Sequence, residues 1–340
     1  MSHFAPGFCL LQLGYEGEGE MKRKVQLIVS AFILAVAAPT RQAMAYYQLI
    51  DLGDLGGRGS TATSINNHGQ VVGRAYDGSG NDKATLFDPT GGGNNIDLGT
   101  LGGKWSQAES INDHGQIVGY AGSKATLFDP TGGGNNIDLG TLGGLGSMAY
   151  SINNQGWIVG CASRVIGPTA TLFDPTGGGN NIDLGTLGGF ESGALSINDR
   201  GQIVGCAYDN SGYYRATLFD STGGGKNIDL GDLGIPESEA CSINDEGQIV
   251  GWALDSLGDY RATLFDPAGS GNNIDLNTLI DPGLGWTLWE AYSINDNGWI
   301  VGVGRNPAGY ERAYLLIPEP ASAVIMGLGA TLIASKRRRQ

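Results

Sequence analysis

The stretch SINDHGQIVGYA, Ser110–Ala121, sets two short apolar runs on either side of Asn112-Asp113-His114-Gly115. Acid, amide and imidazole on one turn are the ingredients of a catalytic or metal-binding loop. The same stretch returns as SINNHGQVVGRA from Ser64, SINNQGWIVGCA from Ser151, SINDRGQIVGCA from Ser196, SINDEGQIVGWA from Ser242 and SINDNGWIVGVG from Ser293. A spacing of 41 to 51 residues between starts marks a repeat architecture. The residue before the glycine is His68, His114, Gln155, Arg200, Glu246 and Asn297 in turn. A catalytic group does not vary that way within one protein, so the stretch reads as scaffold.

Two further signatures accompany it in each unit. One is ATLFDP, from Ala84, Ala125, Ala170 and Ala262, with ATLFDS from Ala216; the other is IDLGTLGG, from Ile96, Ile137 and Ile182, with variants from Ile50, Ile228 and Ile274. Each unit therefore offers four short segments rich in Ile, Val, Leu, Thr and Phe, separated by Gly, Asn, Asp and Pro, the pattern of strands and turns. No segment shows a helical period. Asn112 to Gly115 then becomes a hairpin loop, in which Gly supplies positive φ and Asn or Asp bonds the turn backbone. The register this implies sets Ile111 opposite Ile117 and Ser110 opposite Val118. Both sheet faces are partly apolar, as in sheets stacked face to face.

Six four-stranded units of this kind predict an all-β, six-bladed β-propeller. The body starts with YYQLIDLGDLGG, the last segment type of the unit, and ends with RAYLLIP, which lacks that segment. Residues 47–52 are thus expected to close the last blade as its missing strand. An open β-solenoid is the alternative, because spacing alone does not close a ring.

Both ends read as addresses. Residues 21–45 join Lys22, Arg23 and Lys24 to an apolar run and the cleavage signal Ala43-Met44-Ala45, the layout of a secretory signal peptide. The run is shorter than the roughly 20 apolar residues of a membrane span. Residues 1–20 place Glu16, Glu18 and Glu20 before the basic start, which points to translation from Met21 and a mis-assigned leader. Residues 318–340 carry Pro318-Glu319-Pro320, an apolar segment from Ala321 to Ala334, and the basic run Lys336 to Arg339.

This tail resembles the PEP-CTERM sorting signal of exported proteins in Gram-negative bacteria. The resemblance implies export through the Sec machinery, transient anchoring in the inner membrane as a transmembrane helix, and processing near the Pro-Glu-Pro by an exosortase. A retained C-terminal anchor is the alternative outcome. The three repeat signatures of residues 46–317 together resemble the HAF family of extracellular repeats, whose naming His-Ala-Phe strand is replaced here by Ala-Thr-Leu-Phe. That replacement removes any case for a shared histidine site, and the family carries over no activity.

The body holds 30 Asp and Glu against 12 Lys and Arg, a net charge near −18. Such a surface disfavours nucleic acid and anionic lipid as partners. Three cysteines remain in it, Cys161, Cys206 and Cys241. Cys161 and Cys206 sit at one repeat position otherwise taken by Arg74, Tyr120, Trp252 and Val303, and read as small apolar fillers. No Cys/His cluster suggests zinc.

Nucleophilic catalysis needs a base, and the body's histidines, His68 and His114, both sit on the variable turn position. Oxygen ligands for calcium cluster at Asp88, Asn94, Asn95 and Asp97, without the spacing of an EF-hand. The segment TGGGNN leads from strand into strand, so it lacks the helix of a phosphate loop, and its glycines read as flexible connections. Trp105, Tyr213, Tyr214, Trp286 and Trp289 fall in variable connections, where they are candidates to stack on sugar rings or anchor a protein. No cofactor is called for. The expectation is an exported surface or matrix protein, a non-enzymatic binding or structural module for extracellular polysaccharide or a surface protein; the alternative is a carbohydrate-active hydrolase or lyase on the same scaffold.

Overall fold

The computed structural model describes residues 49–165 and 167–318. The leader, the signal segment with Ala43 and Ala45, and everything from Glu319 onward lie outside them.

The hairpin at Asn112 has the expected register, Ile111 against Ile117 and Ser110 against Val118. The Asn112 side-chain oxygen accepts from His114 N at 3.1 Å and Gln116 N at 3.0 Å, and Gly115 closes the turn at φ +74°. From it the second unit builds four antiparallel strands, Ser106–Ile111, Ile117–Ala121, Lys124–Phe128 and Ile137–Asp138, hydrogen-bonded in sequence order. Five units repeat this sheet, over residues 56–97, 106–138, 147–185, 188–229 and 234–275; the sixth, 287–316, has three strands. We number them blades 1 to 6. The fold is a six-bladed β-propeller. The ring is distinguished from a solenoid by the turns: Asn66 and Asn295, from the first and last units, line one shallow mouth of about 270 Å³ with the four turns between them.

Both faces of each sheet are covered because the apolar residues alternate into both neighbours. Ile117 and Phe128 of blade 2 pack with Val72, Ala84 and Leu98 of blade 1, while Val118 and Ala125 pack with Ala149, Ile152, Ile158 and Phe173 of blade 3. Alanines at facing positions let the sheets approach, and the larger side chains fill the wedge between them. Five such interfaces are packed.

The sixth, between blade 6 and blade 1, is a seam. Ile65 is 66% exposed where its counterpart Ile111 is 6%, and Val301 is 43% exposed where Val250 is fully covered. The expected closing strand is not formed among the described residues: residues 50–52 are in no strand and pair with none of blade 6, and they are held instead by blade 1. Asn95 Nδ2 donates to Leu52 O at 2.7 Å, as Asn136 Nδ2 donates to Leu98 O at 2.8 Å. Residues 50–52 thus stand where each outer strand stands against the following blade; Tyr47 and Gln48 lie outside the described residues.

The first glycine of each TGGG segment, or of its counterpart in blade 5, has a steric role that the reading as connections did not include. Gly91 has φ +71°, and a Cβ there would lie 2.8 Å from Asp51 O. Glycine is demanded by a close approach to the preceding outer strand, repeated at Gly132, Gly177, Gly223 and Gly269.

Candidate binding face

The recurring Asn and Ser side chains of the turn and first strand tie each blade to its neighbour. Asn112 Nδ2 donates to Asn153 O at 2.9 Å, and equivalent amides join Asn66 to Asn112, Asn153 to Asn198, Asn198 to Asn244 and Asn244 to Asn295. The next residue adds a second ladder: Asp113 N donates to Asn154 Oδ1 at 2.9 Å and Asp245 N to Asp296 Oδ1 at 2.8 Å. Ser64 Oγ accepts from Ile111 N, and Ser106 Oγ accepts from Ala84 N while donating to Gly99 O. His68 and His114 stand outside all of this, exposed.

The proposed calcium ligands are also engaged. Asp88 Oδ1 accepts from Thr90 N and Oγ1, its Oδ2 accepts from Asn94 N and Nδ2, and Asp97 Oδ1 accepts from Gly99 N at 2.8 Å. Asn95 turns to the neighbouring segment, its amide on Leu52 O and its oxygen accepting from Asp88 N. The Thr90 hydroxyl above all, then backbone and Asn94 donors, lowers the Asp88 pKa to about 2. These residues form a hydrogen-bonded loop. Among the described residues no group of three or more His, Cys, Asp and Glu is arranged to hold a metal ion.

The two ends of the ring differ in kind. Antiparallel order places the SINDxG turns and the Asp-Pro-Thr-Gly loops at one end, where the units are alike. The hairpins between second and third strands, and the connections between blades, fall at the other end, where the units differ. The aromatic candidates belong there but do not converge. Trp105 stands on blade 2, edge-on to Tyr120 at 5.7 Å and 43% exposed. Tyr213, 42% exposed, stands on blade 4. Its neighbour Tyr214 turns inward, meets Tyr208 edge-on, and donates its hydroxyl to Glu239 Oε2 of blade 5 at 2.7 Å. Trp286 packs on the apolar cluster between blades 5 and 6. Trp289 lines a cleft of about 570 Å³ between the same blades, with Tyr260, Arg261, Glu290 and Arg305. None of those four partners stood out in the sequence. Tyr260, Arg261 and Arg305 lie outside the lengthened stretch of the last repeat and had no signal there; Glu290 falls within it.

Pro318 is exposed and borders a separate apolar cleft with Leu284, Leu316 and Ile317; Glu319 and Pro320 lie outside the described residues. Among those residues no helix is long and apolar enough to cross a membrane. The three cysteines are free thiols. Burial foremost pushes Cys206 up to about 12, and raises Cys161 and Cys241 as well. Cys206 donates to the Tyr214 hydroxyl and Cys161 lies within 3.5 Å of the Tyr150 hydroxyl, so these two meet different partners rather than each other. Glu109, half-buried beside Gln107 and Tyr120, has its pKa raised by burial.

Comparison with known proteins adds nothing to this geometry. No family model, curated protein or solved structure matches the chain.

Proposed function

We propose that this protein works outside the cytoplasm as a non-enzymatic binding or structural module, associated with extracellular polysaccharide or a surface protein. The observation that supports it most is the use of the repeated Asn and Ser side chains: they tie blade to blade, and the connections that differ most between units lie at the opposite end. A rigid scaffold with one end free to vary is the layout of recognition proteins. The acidic body disfavours nucleic acid as a ligand.

Export rests on residues 21–45 and on the tail from Pro318, read as Sec and exosortase signals of the PEP-CTERM type; the body is read as a member of the HAF-like extracellular repeats. Mass spectrometry of the natural product tests this part. A mature chain starting near Tyr46 and lacking the basic end supports it, whereas an intact chain in the cytosolic fraction refutes it. The binding part is tested by a glycan array with Trp286→Ala and Trp289→Ala controls. Glu109 is the observation that favours the hydrolase or lyase alternative, since burial keeps its carboxyl protonated to higher pH. Turnover of the organism's own polysaccharide that is lost in Glu109→Gln would replace binding with catalysis.

A further inference from the structure

We infer that the cleft between blades 5 and 6 is a saccharide site that takes one neutral hexopyranose residue, an inference that rests on the binding reading above. The sheet itself shows a built feature. In blade 5, Ser238, Glu239 and Ala240 pair in succession with Ala253, Trp252 and Gly251. In blade 6, Leu288 pairs with Gly304 and Glu290 with Val303, so Trp289 is an extra residue with no partner between them. A bulge of this kind re-aims a side chain. Here the inserted residue is a tryptophan, and it lines the cleft. Other first strands break register elsewhere, next to the Ser-Ile of the turn or ahead of the buried serine.

The remaining walls carry the chemistry of a polyol site. The Tyr260 ring is 47% exposed and rests on Trp252, with centroids 4.9 Å apart. Arg261 bonds Asp255 Oδ2 at 2.8 Å and Asp259 Oδ2 at 3.3 Å, which fixes its planar fork. Arg305 and Glu290 complete the polar lining, and neither makes an ion pair within 4.0 Å among the described residues. Aromatic faces match the C–H face of a pyranose, and guanidinium and carboxylate groups match its vicinal hydroxyls. Two carboxylates, Asp259 and Glu290, balance Arg261 and Arg305, so the lining is neutral. A neutral sugar adds no charge to this balanced lining, whereas a uronate brings a further negative charge to a body already near −18. The volume lies in the range of about 300–1,000 Å³ usual for small-molecule sites.

The test is a titration of the full chain with methyl glycosides of neutral hexoses and of hexuronic acids, read by tryptophan fluorescence and saturation-transfer NMR. Saturable binding of at least one neutral glycoside, weakened about tenfold or more in Trp289→Ala and in Tyr260→Ala, is expected, the weight of one aromatic contact. Trp289→Phe should retain most of the affinity, which separates loss of the ring from loss of the fold. Equal binding by Trp289→Ala, tighter binding of the uronates, or no binding of any neutral glycoside overturns the assignment. If the chain binds polysaccharide on the array and keeps that binding in Trp289→Ala, the module stands and this cleft is not its site; if it binds none, the polysaccharide reading fails as well.

Discussion

Replacing Asn112 with alanine should be among the most damaging single changes to this protein. Its side chain is 4% exposed and makes four hydrogen bonds: two accepted from His114 N and Gln116 N, one donated to Gln116 Oε1 at 2.7 Å, and one donated to Asn153 O of the next blade at 2.9 Å. At about 1 kcal/mol net for each bond, with a further penalty for groups left buried without partners, the loss should reach about 3–5 kcal/mol. Asn295 provides the internal control. It accepts from Asn297 N and Trp299 N, but its amide reaches no following blade among the described residues, and the residue is exposed. Asn295→Ala should therefore cost about 1–2 kcal/mol. His114→Ala, at the varied position of the same turn, should stay within about 0.5 kcal/mol. Urea unfolding of the three variants measures the series, with thermal midpoints falling about 2–4 °C per kcal/mol as a check. Equal losses for Asn112→Ala and Asn295→Ala would show that the blade-to-blade amide contributes nothing, and a large loss for His114→Ala would make the turn a site after all.

Other outcomes follow from the same geometry. Asp88, Asp129 and Asp174 are held at about 2, below their ordinary 3.8, so their contribution is present above about pH 4 and lost as pH falls through 2; the triple change to Asn should flatten the acid limb of a urea-midpoint profile. Gly119→Ala puts a Cβ 2.0 Å from Gln107 O and should cost more than about 2 kcal/mol, while Gly103→Ala, with open space around it, should be neutral in the same assay. Iodoacetamide at pH 8 should leave Cys161, Cys206 and Cys241 unlabelled in the native protein and label them after denaturation, as counted by mass spectrometry. Ile111→Ala should cost about 2–4 kcal/mol and Ile65→Ala at the seam about 1 kcal/mol or less; equal losses would mean that the seam is shut in solution.

The hairpins and the ring were legible because they rest on local chemistry repeated six times. Ile, Ser and Val alternate at fixed places around each Asn-x-x-Gly, and that alternation sets the register without knowledge of any neighbour. The role of Asn112 was half legible: its side-chain oxygen serves its own turn, but its amide serves Asn153, and no local pattern announces that. The glycines after Asp88 were half legible for a related reason. A Gly run has the same appearance whether it supplies freedom or lets two backbones touch, and only the 2.8 Å approach to Asp51 O separates the two. Trp289 was visible as a tryptophan in a long repeat. Its direction depends on an unpaired position in the ladder, which appears only when both strands are in view.

The ladder of amides bears on how such a chain lengthens over generations. In the turn ladder each unit donates to the following one and accepts from the one before, so its obligations end at its immediate neighbours. Duplicating or deleting a whole unit leaves every kind of junction intact, whereas an insertion of half a unit strands a donor on one side and an acceptor on the other. Whole units are thus the pieces in which this architecture can be lengthened or shortened with its junctions kept. The same rule makes a single-residue insertion such as Trp289 informative: it marks the place where this unit differs from the other five.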